Sequence, residues 1–189
     1  MGSLQRFSKE ETGMEGLFVL NPFLAEDDRG YFLKGFEKNI YKEFGLESEV
    51  SEWFISGSHK NVVRGLHFQL REPQVKVVSV HAGRIFDVAV DLRRGSPTYG
   101  KYEAVELSSD NHKIYYIPKG FAHGFCVLSD WAVVSYVCIG RYFPEYDTGI
   151  FWNDPDLAVI WPVAPDDAFL SQKDNNLMRF AEFERINQF

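Results

Sequence analysis

The sequence predicts an all-β fold, a single antiparallel sandwich or barrel of the jelly-roll type with a few short helices, on three observations. Short segments with a two-residue hydrophobic period follow one another from Val75 to about Val137. Turn-forming residues interrupt them at intervals of about ten residues, the spacing of antiparallel sandwiches and barrels. The chain has 189 residues, 45% hydrophobic and 16% aromatic, enough to bury one substantial core and unlike a disordered or fibrous chain.

In chain order, residues 1–13 are polar and expected to form a flexible leader, leaving one domain over 14–189. A helix is expected from about Glu37 to Phe44, where Phe36, Ile40, Tyr41 and Phe44 share a face and Gly45 supplies the stop. Strands are expected at Val75 to Val80, Phe86 to Arg93, Tyr102 to Leu107, Lys113 to Ile117, Gly124 to Leu128 and Ala132 to Ile139. Ala82-Gly83, Gly95-Ser96-Pro97, Ser109-Asp110-Asn111, Pro118-Lys119-Gly120 and Ser129-Asp130 separate them. The clearest strand sets Phe86, Val88, Val90 and Leu92 against Asp87, Ala89, Asp91 and Arg93, so that one face carries carboxylates. A second helix is expected near Ser171 to Phe183, the last 20 or so residues packing as a terminal cover. No repeat, low-complexity run or linker divides the chain.

Charge and composition exclude several functions. Net charge is −7 and the lysines and arginines are scattered, which argues against a nucleic-acid partner. No stretch approaches the roughly 18 to 20 apolar residues of a membrane span, and no signal-peptide pattern opens the chain, so a cytoplasmic protein without a membrane partner is expected. Cys126 and Cys138 have no Cys-x-x-Cys spacing and are expected to be free, buried thiols.

Five histidines narrow the search for chemistry. His59, His81 and His112 stand beside Lys or Gly in expected surface turns. His67, in Arg64-Gly-Leu-His-Phe-Gln69, and His123, in Gly120-Phe-Ala-His-Gly-Phe125, have apolar and glycine neighbours and are expected to be buried. Either alone reads equally well as a satisfied core imidazole. With Arg64 and Lys76 on neighbouring segments, however, four cation-capable groups in one core would be costly without an anionic ligand. His67-Phe68-Gln69 lacks the second histidine of a metal-binding pair and Gln is a poor transition-metal ligand, so no metal site is expected and proton transfer is the better use of His67. No dinucleotide-binding glycine motif, phosphate loop or Gly-x-Ser-x-Gly elbow is present, which leaves acid–base chemistry on a small molecule.

Six strings then occur in register: Arg64 to Gln69, Phe86 to Arg93, Ser96-Pro-Thr-Tyr-Gly100, Ile117 to Phe125, Leu128-Ser-Asp130 and Trp152-Asn-Asp-Pro155. Together, from about Gly16 to Asp174, they resemble the dTDP-4-dehydrorhamnose 3,5-epimerase family, cupin-type jelly rolls. The resemblance implies a homodimer without metal or cofactor that acts on a nucleotide-diphosphate 4-keto-6-deoxy sugar. It implies His67 as catalytic base, Asp174 as the carboxylate that orients it, Tyr136 as general acid, and Lys76 and Arg64 as cations at the substrate oxygen and diphosphate. His123 matches a further active-site histidine, Arg29 an arginine that reaches the nucleotide, and Gln69, Ser56 and Arg141 complete the implied substrate-binding set. From the residues alone, Asp174 three positions after Ser171 also reads as a helix start, Tyr136 as strand packing and Lys76 as an exposed strand residue.

The pattern also departs from the family. Glu52 and Phe54 stand where it carries Gln and Asn, Lys34 where it carries Glu, and Arg141 where it carries an aromatic. A C3- or C5-only epimerase of CDP- or GDP-linked sugars, a silent sugar-binding barrel and a metal-dependent cupin remain the alternatives.

Overall fold

A computed structural model describes residues 2–189. In chain order the elements are β1 (Ser3–Gln5), β2 (Ser8–Glu11), β3 (Phe18–Asn21), β4 (Phe23–Asp27), β5 (Gly30–Lys34), α1 (Lys38–Glu43), β6 (Val50–His59) and β7 (Val63–Gln69). They continue with β8 (Val75–Ala82), β9 (Arg84–Asp91), β10 (Tyr102–Ser108), β11 (Ile114–Ile117), β12 (Phe121–Val127), β13 (Trp131–Ile139), β14 (Asp147–Gly149), α2 (Gln172–Asn175) and α3 (Phe180–Ile186). A six-stranded sheet, in the order β2-β3-β11-β8-β13-β6, faces a five-stranded sheet, β10-β9-β12-β7-β14, and β1-β4-β5 form a small third sheet. Every strand pairing is antiparallel.

Three apolar layers hold this arrangement. Val78, Val80, Tyr115 and Val134 of the six-stranded sheet meet Ile85, Ala89, Phe125 and Val127 of the five-stranded sheet in the central core. The outer face of the five-stranded sheet buries Leu66, Phe68, Val88, Val90 and Leu92 beneath Phe180 and Phe183 of α3, the terminal cover expected from the sequence. On the far side, Tyr41 of α1 and Leu46 cover Leu20, Val75, Val77 and Ile114.

β9 is therefore buried on both faces, and its alternation separates two interiors rather than core from solvent. Asp87 and Asp91 are both fully buried. Asp87 lies between Ile85 and Ala89 on the face that looks into the sandwich.

The structure differs from the sequence reading in several places. The polar leader carries β1 and β2, whose backbones pair with β4 and β3. The second helix is two helices, since residues 176–179 leave helical geometry between α2 and α3. Strands before Val75 escaped the pattern because β6 reads Val-Ser-Glu-Trp-Phe-Ile-Ser-Gly-Ser-His, an edge strand with too little apolar alternation to stand out. His59 and His81 are exposed but lie on β6 and β8 rather than in turns; His112 is in a turn and half-buried. Cys126 and Cys138 are free and buried. Among the described residues no helix is long and apolar enough to cross a membrane.

Candidate active site

The site lies between the two large sheets, where β7 and β12 of one face β8 and β13 of the other. Glycine brings the first pair together. A side chain at Gly65, whose φ is +114°, would put its Cβ 2.6 Å from Gly124 Cα and 2.6 Å from the His123 carbonyl oxygen. This close approach sets His67 opposite His123 in the β7–β12 register. Across the gap, β13 pairs with β8 so that Cys138 lies opposite Lys76, with Tyr136 two residues earlier.

A cavity of about 340 Å³ opens here, lined by His67, Arg64, Lys76, His123, Tyr136, Gln69 and Ser56 among others. Seven residues expected from the sequence are thus together. Asp174 stands directly behind His67, with His67 Nε2 2.5 Å from Asp174 Oδ1. His67 is half-buried, not enclosed as expected, because its ring opens on the cavity. Asp174 is 3% exposed.

The helix-start and active-site readings of Asp174 both hold. Ser171 caps α2 by accepting from the Asp174 backbone N–H, and its hydroxyl donates to Asp174 Oδ2 at 2.8 Å. Burial favours the protonated acid, yet the hydrogen bond and charge of His67, the Ser171 hydroxyl and the Gly65 N–H outweigh it and hold the carboxyl below its ordinary pKa. An ionised Asp174 only accepts, so the proton it receives is on His67 Nε2, and whenever the ring is neutral its lone pair is on Nδ1.

The other groups are also committed by their surroundings. Lys76 Nζ donates to the His67 carbonyl at 3.2 Å, and desolvation lowers its pKa against the attraction of Cys138, Asp147 and Asp87. Arg64 Nε donates to Ser58 Oγ at 3.0 Å. Burial raises the Tyr136 phenol, as does the negative charge of Asp87, so the phenol keeps its proton until an acceptor stronger than water is presented.

Three expected substrate contacts are placed differently. Arg29 lies on the exposed β4–β5 turn, its side chain 90% exposed and paired with Asp27, away from the cavity in this chain. Arg141 also turns away, its guanidinium 4.9 Å over the Phe143 ring, while the next residue, Tyr142, lines the cavity. Gln69 lines the cavity with its amide already occupied. Its Nε2 donates to the Glu72 and Arg141 carbonyls and its Oε1 accepts from the Phe143 N–H, so it fastens the loop that presents Tyr142.

Sequence reasoning missed several residues of the site. Asp87 is the buried partner of His123, its Oδ1 2.8 Å from Nε2, and burial raises its pKa against the pull of His123 and Lys76. The alternating carboxylate face of its strand was the available signal. Asp147 lines the cavity, accepts from the Tyr142 hydroxyl at 3.2 Å and meets Lys173 Nζ at 2.5 Å. No periodicity marks Tyr142, in a loop, or Asp147, at the start of a three-residue strand. Among the described residues no group of three or more His, Cys, Asp and Glu side chains is arranged to hold a metal ion.

Comparison with known proteins places this geometry among relatives. The family profile described as dTDP-4-dehydrorhamnose 3,5-epimerase matches residues 11–182. A dTDP-4-dehydrorhamnose 3,5-epimerase of Methanothermobacter thermautotrophicus is 48% identical over 172 residues, 90% of this chain and 92% of that protein. One from Escherichia coli K12 is 43% identical over 93% of this chain and 95% of its own length. Among solved structures, dTDP-6-deoxy-D-glucose-3,5-epimerase from Legionella pneumophila Philadelphia 1, in complex with dTDP-4-keto-L-rhamnose, superposes with a TM-score of 0.91. The two are 39% identical, and the match covers 97% of this chain and 99% of the other.

Proposed function

Since the chain belongs to the dTDP-4-dehydrorhamnose 3,5-epimerase family, its reaction is inversion of carbons beside a ketone, and we propose that His67 and Tyr136 move the protons from opposite sheets. The protein is an isomerase, a carbohydrate epimerase of the 3,5 type. The carrying observation is the His67–Asp174 pair on one wall of the cavity with the Tyr136 phenol on the other.

A hydrogen α to a ketone is weakly acidic and needs both a base and a stabilised enolate. His67 Nδ1 takes the proton from carbon while Asp174 holds the ring and favours the imidazolium. Positioned acid–base catalysis of this kind is worth roughly 10²- to 10⁴-fold. The electron pair passes to the C4 oxygen, where the Lys76 ammonium, assisted by His123, meets the developing charge; one such donor contributes about 3 to 4 kcal/mol. Tyr136 then gives its hydroxyl proton to the opposite face of the same carbon. The phenolate recovers a proton from solvent and the imidazolium releases one, so the enzyme is restored and only configuration has changed. Arg64 binds the diphosphate, and Ser56 and Tyr142 contact the rest of the dTDP-4-keto-6-deoxy sugar.

A second copy of this chain completes the proposal. Trp53 and Ile55 lie on the edge strand β6, 62% and 49% exposed, an apolar row that favours homodimerisation.

The test is to incubate the protein with dTDP-4-keto-6-deoxyglucose in D₂O and follow deuterium at C3 and C5 by NMR and mass spectrometry. Deuterium at both carbons with inverted product is expected. His67→Ala should lower exchange by 10²-fold or more, and Tyr136→Phe should retain exchange but lose inversion. Retention of inversion in both variants would overturn these roles.

A further inference from the structure

The Tyr136 ring is packed between two other rings. Phe54 on β6 is its register partner across the β6–β13 pairing, and the two rings stack nearly parallel, their centroids 4.7 Å apart at 17°. The His123 imidazole meets it edge-on at 6.0 Å and 72°. Ser56 Oγ is close enough to favour the ionised phenol, yet among the described residues it has no hydrogen-bond partner at usual geometry. The orientation of the phenol is therefore set by aromatic packing. Phe54 also lines the cavity and keeps 45% of its surface exposed.

We infer that Phe54 is a positioning residue for the reprotonation step, its ring holding the Tyr136 phenol at the angle from which the proton reaches carbon. The inference rests on the epimerase roles proposed above. Once His67 has taken the proton, the enolate has two fates. His67 can return a proton to the original face, regenerating substrate, or Tyr136 can deliver one to the other face, giving product. Phe54 touches only the second. Stacking of this kind is worth about two- to tenfold in an equilibrium, so its loss lowers the population of the productive phenol rotamer by that factor.

The partition is measurable inside one reaction. In D₂O, the ratio of deuterium in recovered, uninverted substrate to deuterium in inverted product reports the two fates directly and does not depend on how much enzyme is folded. Phe54→Ala should raise this ratio about two- to tenfold with KM within about twofold of the parent, and Phe54→Tyr should restore it. An unchanged ratio with a raised KM would make Phe54 a substrate platform and overturn the inference. So would an equal fall in exchange and inversion at an unchanged ratio, which a structural role predicts. Absence of any exchange in the parent protein is a separate result that removes the epimerase roles themselves, and the inference with them.

Discussion

At the scale of single residues, buried carboxylates divide by what surrounds them. Asp91 is fully buried, and desolvation alone would raise its pKa. The Arg93 guanidinium at 2.7 and 2.8 Å and the Ser96 and Thr98 hydroxyls, each at 2.6 Å, reverse that and bring it down to about 2. Because the folded pKa is depressed, Asp91 stabilises the fold fully above the ordinary carboxylate pKa, and that contribution is lost as pH falls from about 4 toward 2. It is worth about 2 kcal/mol. Denaturant titration should show Asp91→Asn less stable by about that amount near neutral pH, with the gap closing as pH drops through this window. A gap independent of pH would mean that the charge is not what matters. Asp87 has no such company: its Oδ2 lacks a partner among the described residues, and burial raises its pKa. The same residue type thus fastens a loop at one end of β9 and serves the cavity from its middle.

At the scale of elements, the site depends on how closely β7 and β12 approach. Gly65 and Gly124 allow it, and a methyl group at either would meet the opposite backbone 2.5 to 2.6 Å away. Gly65→Ala should therefore cost about 1 to 3 kcal/mol of stability, typical of overpacking, and part His67 from its place opposite His123. Catalytic rate should fall more than the loss of folded protein explains, as measured by kcat on protein whose folded fraction is fixed by circular dichroism. Activity at the parental level would show that this approach does not govern the base. α2 illustrates a short element with two duties, since its Ser171 cap also donates to the carboxylate that holds His67. A helix of four residues is too short to be stable on its own, so its position is set by the sheet it packs on.

At the scale of the whole molecule, two sheets supply opposite walls: His67 and Asp174 from the side of β7, Tyr136 and Lys76 from the side of β13 and β8. Inversion needs proton access to two faces of one carbon, and a sandwich provides two faces. The row on β6 extends the argument to a pair of chains. Light scattering on a sizing column should find the parent protein as the proposed dimer and Ile55→Glu as a monomer, because burying an unpaired charge at an apolar contact is unfavourable. An unaltered dimer would place the interface elsewhere.

Much of this was legible in the chain itself. Alternation over 75–139 marked the strands that build the central core, and the flanking glycines of His67 and His123 marked two segments whose backbones could approach closely. The register that the matching strings set with the family pointed to His67, Asp174, Tyr136 and Lys76, and the fold brings the four to one cavity or directly behind it. Three things needed the fold. Gln69 became a loop fastener rather than a ligand, and Tyr142 rather than Arg141 faced the cavity, because a loop's side-chain direction follows its hydrogen bonds and has no period to read. Asp87 found His123 as a diagonal neighbour on the paired strands β9 and β12, and Phe54 found Tyr136 as its register partner on β6 and β13, because pairing joins segments far apart in the chain and register is decided by the packing of whole faces. Local pattern determines what each segment can become; only the assembled sheets decide which side chains meet.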